Sequence, residues 1–159
     1  MRKLKFIILC LIGILGLFSC LPPSFAQEKV AKGTSMQEKS LYQRLGGYDA
    51  TAAVVDDFIA RLVSDAQISR FFGGHSLDSK KRIRQLIVEQ LCMAAGGPCF
   101  YTGRSMKASH EGLNISESEW QTGVKLLVAS LDKFRVPQKE KDEVLTAVSS
   151  FKADIVATK

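Results

Sequence analysis

Between two helical stretches the chain breaks at Gly96-Gly97-Pro98, then runs Cys99-Phe100-Tyr101-Thr102-Gly103 into a short apolar turn, Met106-Lys107-Ala108-Ser109-His110-Glu111-Gly112-Leu113. Proline removes the backbone donor a helix needs, and glycine admits backbone conformations other residues avoid, so the break is a firm one. The turn after it carries one of only two histidines in the sequence. The other, His75, sits in a loop-like stretch, Gly73-Gly74-His75-Ser76. So few imidazoles exclude a multi-histidine zinc site.

On either side of the break the apolar residues recur at helical spacing, and no stretch alternates as a strand would. The first long helix is expected from Asp49, as N-cap, to about Ser64, with Ala52, Val55, Phe58, Ile59 and Leu62 as its stripe. A short segment, Ile68 to Phe72, ends at Gly73-Gly74. The second long helix is expected from about Ser79 to Ala95, with Ile83, Leu86, Ile87, Leu91 and Ala94 on one face. Ser116 and Glu119 make a capping box that opens the third, whose stripe is Trp120, Val124, Leu127, Leu131 and Phe134. Pro137 opens the fourth, where Val144, Ala147, Val148, Phe151 and Ile155 share a side. The pattern is that of an all-α domain with four main helices.

The N-terminus has the layout of a secretory signal over residues 1–26: Arg2, Lys3 and Lys5, an apolar run from Phe6 to Phe18, then Ser24-Phe25-Ala26. Two processing routes remain open. Cleavage after Ala26 releases a soluble chain, whereas Leu17-Phe18-Ser19-Cys20 resembles a lipoprotein signal that keeps Cys20 as a lipid anchor. An uncleaved anchor is disfavoured, because the run falls short of the roughly 20 residues of a span. Either processing route implies export, to the periplasm as a soluble or lipid-anchored protein. Residues 27–39 read as a polar tether and residues 40–159 as one small domain.

Three of the 22 basic residues lie in the leader and all 16 acidic residues lie outside it, leaving 19 against 16, or +3. A mixed-sign surface so close to neutral gives no case for nucleic-acid binding. Beyond the leader two cysteines remain, Cys92 and Cys99. They form either a disulfide, as an oxidising compartment permits, or a buried helix thiol and an unrelated loop thiol.

Taken in order, Leu41-Tyr42-x-x-Leu45-Gly46-Gly47, Val55-Asp56-Asp57-Phe58, Phe71-Phe72, Gly96-Gly97-Pro98, Tyr101-Thr102-Gly103 and Met106-Lys107-x-x-His110-x-Gly112-Leu113 resemble the truncated haemoglobins, most closely their first group. The resemblance spans nearly all of residues 40–159 and implies a two-over-two globin-like sandwich of four main helices around haem b. A single histidine suffices there, because haem brings its iron's other ligands with it. By that resemblance His110 is the proximal iron ligand. Phe72 packs on the haem plane, Met106 and Phe58 are apolar contacts, and Tyr101, Arg104 and Lys107 edge the haem, where a cation could meet a propionate. Covalent attachment of the c type is excluded, since no Cys-x-x-Cys-His occurs.

The ligand side departs from the family's pattern. First-group members commonly have a tyrosine directly after the phenylalanine of the first long helix, and here that position is Ile59. The ligand-facing positions of the second helix fall at Ile83 and Ile87, where glutamine is frequent in the family. A hydrogen bond to a partly anionic ligand is worth roughly 1.5–3 kcal/mol. Its loss is expected to speed oxygen release by about one to two powers of ten. His75 is either a distal sixth ligand or donor, or a solvent-exposed loop residue, and Gln90 is a further candidate donor one position off the inward stripe.

The expected function is reversible binding of oxygen, with nitric oxide and carbon monoxide as further ligands. Nitric oxide oxidation, peroxidase-like chemistry and gas sensing are the alternatives. An enzymatic role would need an outside reductant, since no reductase segment is present, and the missing clamp argues against efficient dioxygenation. A haem-free phosphotransfer bundle would place its histidine mid-helix on a solvent face, unlike His110.

Overall fold

The structure is a computed structural model and describes residues 38–157. The expected signal (residues 1–26, with Cys20) and the tether up to residue 37 lie outside the described residues.

Helix α1 (Leu41–Arg44) is one turn long and holds its shape through a reciprocal cap. The Ser40 hydroxyl accepts the Gln43 N–H, while the Gln43 side chain accepts the Ser40 N–H. Helix α2 (Gly47–Ser64) follows without a side-chain cap. Asp49 was the expected cap. Gly46 takes that position instead, because its left-handed backbone (φ +96°) turns the chain directly into the helix. Asp49 falls in the first turn, where its charge suits the positive end of the helix dipole.

A single 3-10 turn (Ser69–Phe72) leads to helix α3 (Leu77–Ala94). Helix α3 begins two residues before the expected Ser79, since the Ser76 hydroxyl caps it by accepting the Ser79 N–H. After the glycine-proline break comes the short helix α4 (Met106–His110), capped by Ser105. Helix α5 (Glu117–Lys133) starts at the expected capping box of Ser116 and Glu119. Phe134, expected in its apolar stripe, is instead its exposed C-cap. Helix α6 (Gln138–Ser149) does not carry Phe151 and Ile155 as its spacing suggested. The chain turns at Ser150 and Phe151 into helix α7 (Lys152–Ile155), whose end is drawn to the loop after α4, where the Ala157 N–H donates to the Ile115 carbonyl at 2.9 Å.

Helix α2 is the centre, packed on α3 along one side and α5 along another. Its α3 side buries Ala52 and Val55 with Val88, and its α5 side buries Val54 with Leu127, Leu131 and Val144 of α6. Val55 and Val88 are wholly enclosed, and burying such side chains is worth about 1.5–3 kcal/mol each. Ion pairs then fix how the helices lie. Arg84 grips Asp56 with both ends of its guanidinium (2.7 and 2.9 Å), joining α3 to α2. Arg44 reaches Glu140 (3.0 Å) and Glu143, joining α1 to α6. Among the described residues there is no strand, only the isolated bridge Ile115–Val156.

Candidate functional site

Helix α4 carries His110 at its C-terminal end. Its Ser105 cap and five-residue length place His110 in the last turn, with the ring Nδ1 2.8 Å from the carbonyl oxygen of Met106. A carbonyl can only accept, so Nδ1 carries the ring proton and Nε2 keeps its lone pair. The imidazole is half-buried. The Ser109 hydroxyl lies 3.2 Å from Nδ1, and its own proton is directed at the Ser105 and Met106 carbonyls (2.9 and 3.0 Å). Beyond His110, Gly112 takes a left-handed backbone (φ +79°) that turns the chain toward Ile115.

Helix α4 packs chiefly on α7 and makes no comparable contact with α2, α3 or α5. The apolar residues that the family resemblance assigns to the haem, Phe72, Ile83, Ile87 and Met106, are half-buried, as is Leu113 just beyond His110. Side chains of that size with exposed apolar surface are of the kind that can pack on a flat apolar group. The turn bearing Phe72 is fixed from outside, where Arg70 lies 4.0 Å above the Phe71 ring and bonds Glu119 at 2.8 Å. Phe58, also half-buried, packs against the Val54–Leu127–Leu131–Val144 cluster.

The loop between α3 and α4 is tied down at several points that sequence reasoning left open or did not see. Cys92 and Cys99 are joined in a disulfide with Cα atoms 5.8 Å apart, which closes the alternative of two unrelated thiols. Glu89 accepts from both the backbone N–H (3.2 Å) and the hydroxyl (3.0 Å) of Thr102, and Arg82 donates to the same hydroxyl. Gln85 and then the Thr102 N–H hold the Glu89 carboxyl below its ordinary range. Tyr101 folds over Gly103 and donates its hydroxyl to the Arg104 carbonyl at 2.7 Å, and burial pushes its phenol up. That hydroxyl is committed to the loop. Arg104 and Lys107 are exposed, with no carboxylate partner among the described residues.

The residues expected on the ligand side come from two helices. Ile59 of α2 and Ile87 of α3 both pack on the Ala52–Val55–Val88 cluster, and Ile83 lies one turn before Ile87. Gln90 is half-buried on α3. His75 is exposed in the loop before α3, and no hydrogen bond among the described residues holds it.

The family model for bacterial-like globins matches residues 40–157. The chain belongs to the bacterial-like globin family. It is 32% identical over 126 residues to a group 1 truncated hemoglobin of Mycolicibacterium paratuberculosis, covering 79% of this chain and 90% of that one. Against the group 1 truncated hemoglobin of Tetrahymena pyriformis it is 25% identical over 118 residues, covering 74% and 95%. The crystal structure of the Tetrahymena protein in its Fe(III) form superposes with a TM-score of 0.69 at 24% identity, over 76% of this chain and all of the other. The 2/2 hemoglobin of Synechococcus sp. PCC 7002, solved in the cyanomet state with covalently attached heme, gives 0.68 at 28% identity, over 74% and 98%.

The helical arrangement described above is therefore the two-over-two globin fold. Globins bind haem, and through it diatomic gases such as oxygen. This globin's own residues fit the group. An imidazole whose Nδ1–H is engaged by a backbone carbonyl leaves Nε2 free to ligate iron, and Phe72, Ile83, Ile87 and Met106 keep exposed apolar surface of the kind a porphyrin's faces can cover.

Proposed function

We propose that this globin holds haem b non-covalently, with His110 Nε2 as the proximal ligand, and binds oxygen reversibly with fast release. The carrying observation is the hydrogen bond from His110 Nδ1–H to the Met106 carbonyl, which fixes both the tautomer and the ring's orientation. When bound, haem supplies an iron with a position open to a diatomic gas.

The chain's residues would do the rest. Phe72, Met106 and Ile83 would face the porphyrin, with Phe58 behind them. Arg104 and Lys107, exposed and without partners among the described residues, would receive the propionates at the solvent edge. Ile59 and Ile87 offer no hydrogen-bond donor to the ligand, so nothing of theirs would slow its departure. The Cys92–Cys99 disulfide supports an exported protein, since such bonds persist in oxidising compartments.

Purified protein supplied with haem should show a Soret band and, in the ferrous state, an iron–histidine stretching band by resonance Raman. His110→Gly should lose that band and regain it with added imidazole. A colourless wild-type protein, or a variant spectrally identical to it, would remove the reading. Oxygen release followed by stopped flow tests the apolar ligand side; release as slow as in tyrosine-bearing relatives contradicts it.

A further inference from the structure

Helix α4 rests mainly on α7, so its position depends on the chain that enters and leaves it. Downstream, the Ile115–Val156 bridge and the bond from the Ala157 N–H to the Ile115 carbonyl fasten the exit. Upstream, the loop passes from Cys99 to Ser105 with no helix or strand of its own. What fastens that side is the Cys92–Cys99 disulfide, backed by the Glu89–Thr102 bonds three residues further on.

The bridge is well seated at one end. Cys92 is fully enclosed on α3, and its carbonyl accepts the Gly97 N–H at 2.8 Å. Gly97 lies so near the Cys92 Sγ and the Tyr42 ring that an added Cβ would come within 2.7 and 2.6 Å of them. At the other end Cys99 is only half-buried, and its neighbour Phe100 is 84% exposed. One sulfur is anchored in the core, and the other sits on a loop that solvent and a partner can reach.

We infer that Cys92 and Cys99 are positioning residues for His110, and that opening their disulfide loosens the protein's grip on haem. This rests on His110 as the iron ligand. A dithiol reductant is the co-reactant. Its thiolate attacks Cys99 Sγ, the Cys92–Cys99 bond breaks, and Cys92 leaves as a thiolate that takes up a proton. The second thiol of the reductant then attacks the mixed disulfide, releasing Cys99 as a thiol and closing the reductant's own disulfide. Two electrons and two protons pass to the protein. The segment from Cys99 to Ser105 then keeps only the Thr102 hydrogen bonds to Glu89 and Arg82 of α3, and the upstream support of His110 is reduced from a covalent tie to those bonds.

The test uses the full protein loaded with haem, untreated and after dithiothreitol, with bridge opening verified by thiol titration. The iron–histidine band of the ferrous protein should broaden or shift on reduction and return on reoxidation. Haem transfer to a high-affinity acceptor apoprotein should accelerate by about tenfold, the lower end of what lost support behind a metal ligand costs. Cys99→Ser should show the reduced-state values from the start and be insensitive to dithiothreitol. An unchanged band and transfer rate with the bridge verifiably open overturn the inference while leaving His110 as ligand. Failure of the untreated protein to take up haem overturns both.

Discussion

Ser109 Oγ and His110 Nδ1 lie 3.2 Å apart and share an acceptor, the carbonyl oxygen of Met106, at 3.0 and 2.8 Å respectively, the hydroxyl dividing its proton between that carbonyl and Ser105's at 2.9 Å. A carbonyl shared between two donors pulls less strongly on the imidazole proton than one it serves alone. Ser109→Ala should leave that carbonyl to the ring, make Nε2 more electron-rich, and raise the iron–histidine stretching frequency of the ferrous protein by several wavenumbers. A frequency that falls or stays put would show that the hydroxyl has no hold on the ring.

The features legible in the sequence were those written over a few residues. The capping box of Ser116 and Glu119, the stop at Gly96-Gly97-Pro98 and the stripe on α2 each depend on neighbours within one or two turns, and the structure has all three. The start of α2 was misplaced because a left-handed glycine, invisible to a search for polar caps, did the work expected of Asp49. What the sequence could not show was long-range. The Glu89–Thr102 latch spans 13 residues of separation and the Arg44–Glu140 pair spans 96, and no local pattern records either. The break before α7 has the same origin, since Val156 is drawn to Ile115, which belongs to a distant loop. The sequence singles out His110 only through the ordered motifs around it. Its tautomer needed coordinates.

Gly97 and Gly123 should respond to alanine with opposite signs. At Gly97 a Cβ would meet the Tyr42 ring and the Cys92 Sγ, both part of a packed junction between α1 and α3. Overpacking of that kind costs about 1–3 kcal/mol. At Gly123, inside α5, nothing lies within 4 Å of the Cβ position. There alanine should add about 0.5–1 kcal/mol by restricting the unfolded chain and favouring the helix. Urea midpoints of the two variants should therefore move to either side of wild type, and a shared direction would refute the packing argument.

Acid should erode stability through Glu119. Its carboxylate accepts the Ser116 N–H (2.8 Å) and hydroxyl (2.7 Å) and then Arg70 (2.8 Å), which together lower its pKa from 4.5 to about 2. Because the folded value lies below the unfolded one, the contribution is complete above pH 4.5 and disappears as pH falls toward 2. Asp57 acts in the same direction, held well below the carboxylate range by Lys133 and then Arg61. Urea midpoints measured across that window should fall with acidity, and Glu119→Gln should flatten the decline without abolishing it. An equal slope in both proteins would exclude Glu119 as a source.

Restoring a donor on the ligand side should reverse the expected fast release. Ile59 and Ile87 belong to the same apolar cluster, on helices that Arg84 and Asp56 hold together, so a polar group at either position would be carried on a fixed frame. Ile59→Tyr introduces a hydroxyl, and Ile87→Gln adds an amide with little change in volume. A hydrogen bond to a partly anionic ligand contributes roughly 1.5–3 kcal/mol, which slows departure by about one to two powers of ten. Stopped-flow release of oxygen should slow in at least one variant, while carbon monoxide, a weaker acceptor, should change far less. Equal slowing of both gases would point instead to a steric barrier. No slowing in either variant would mean that these two isoleucines do not face the ligand, and the account of the apolar side would fail with them.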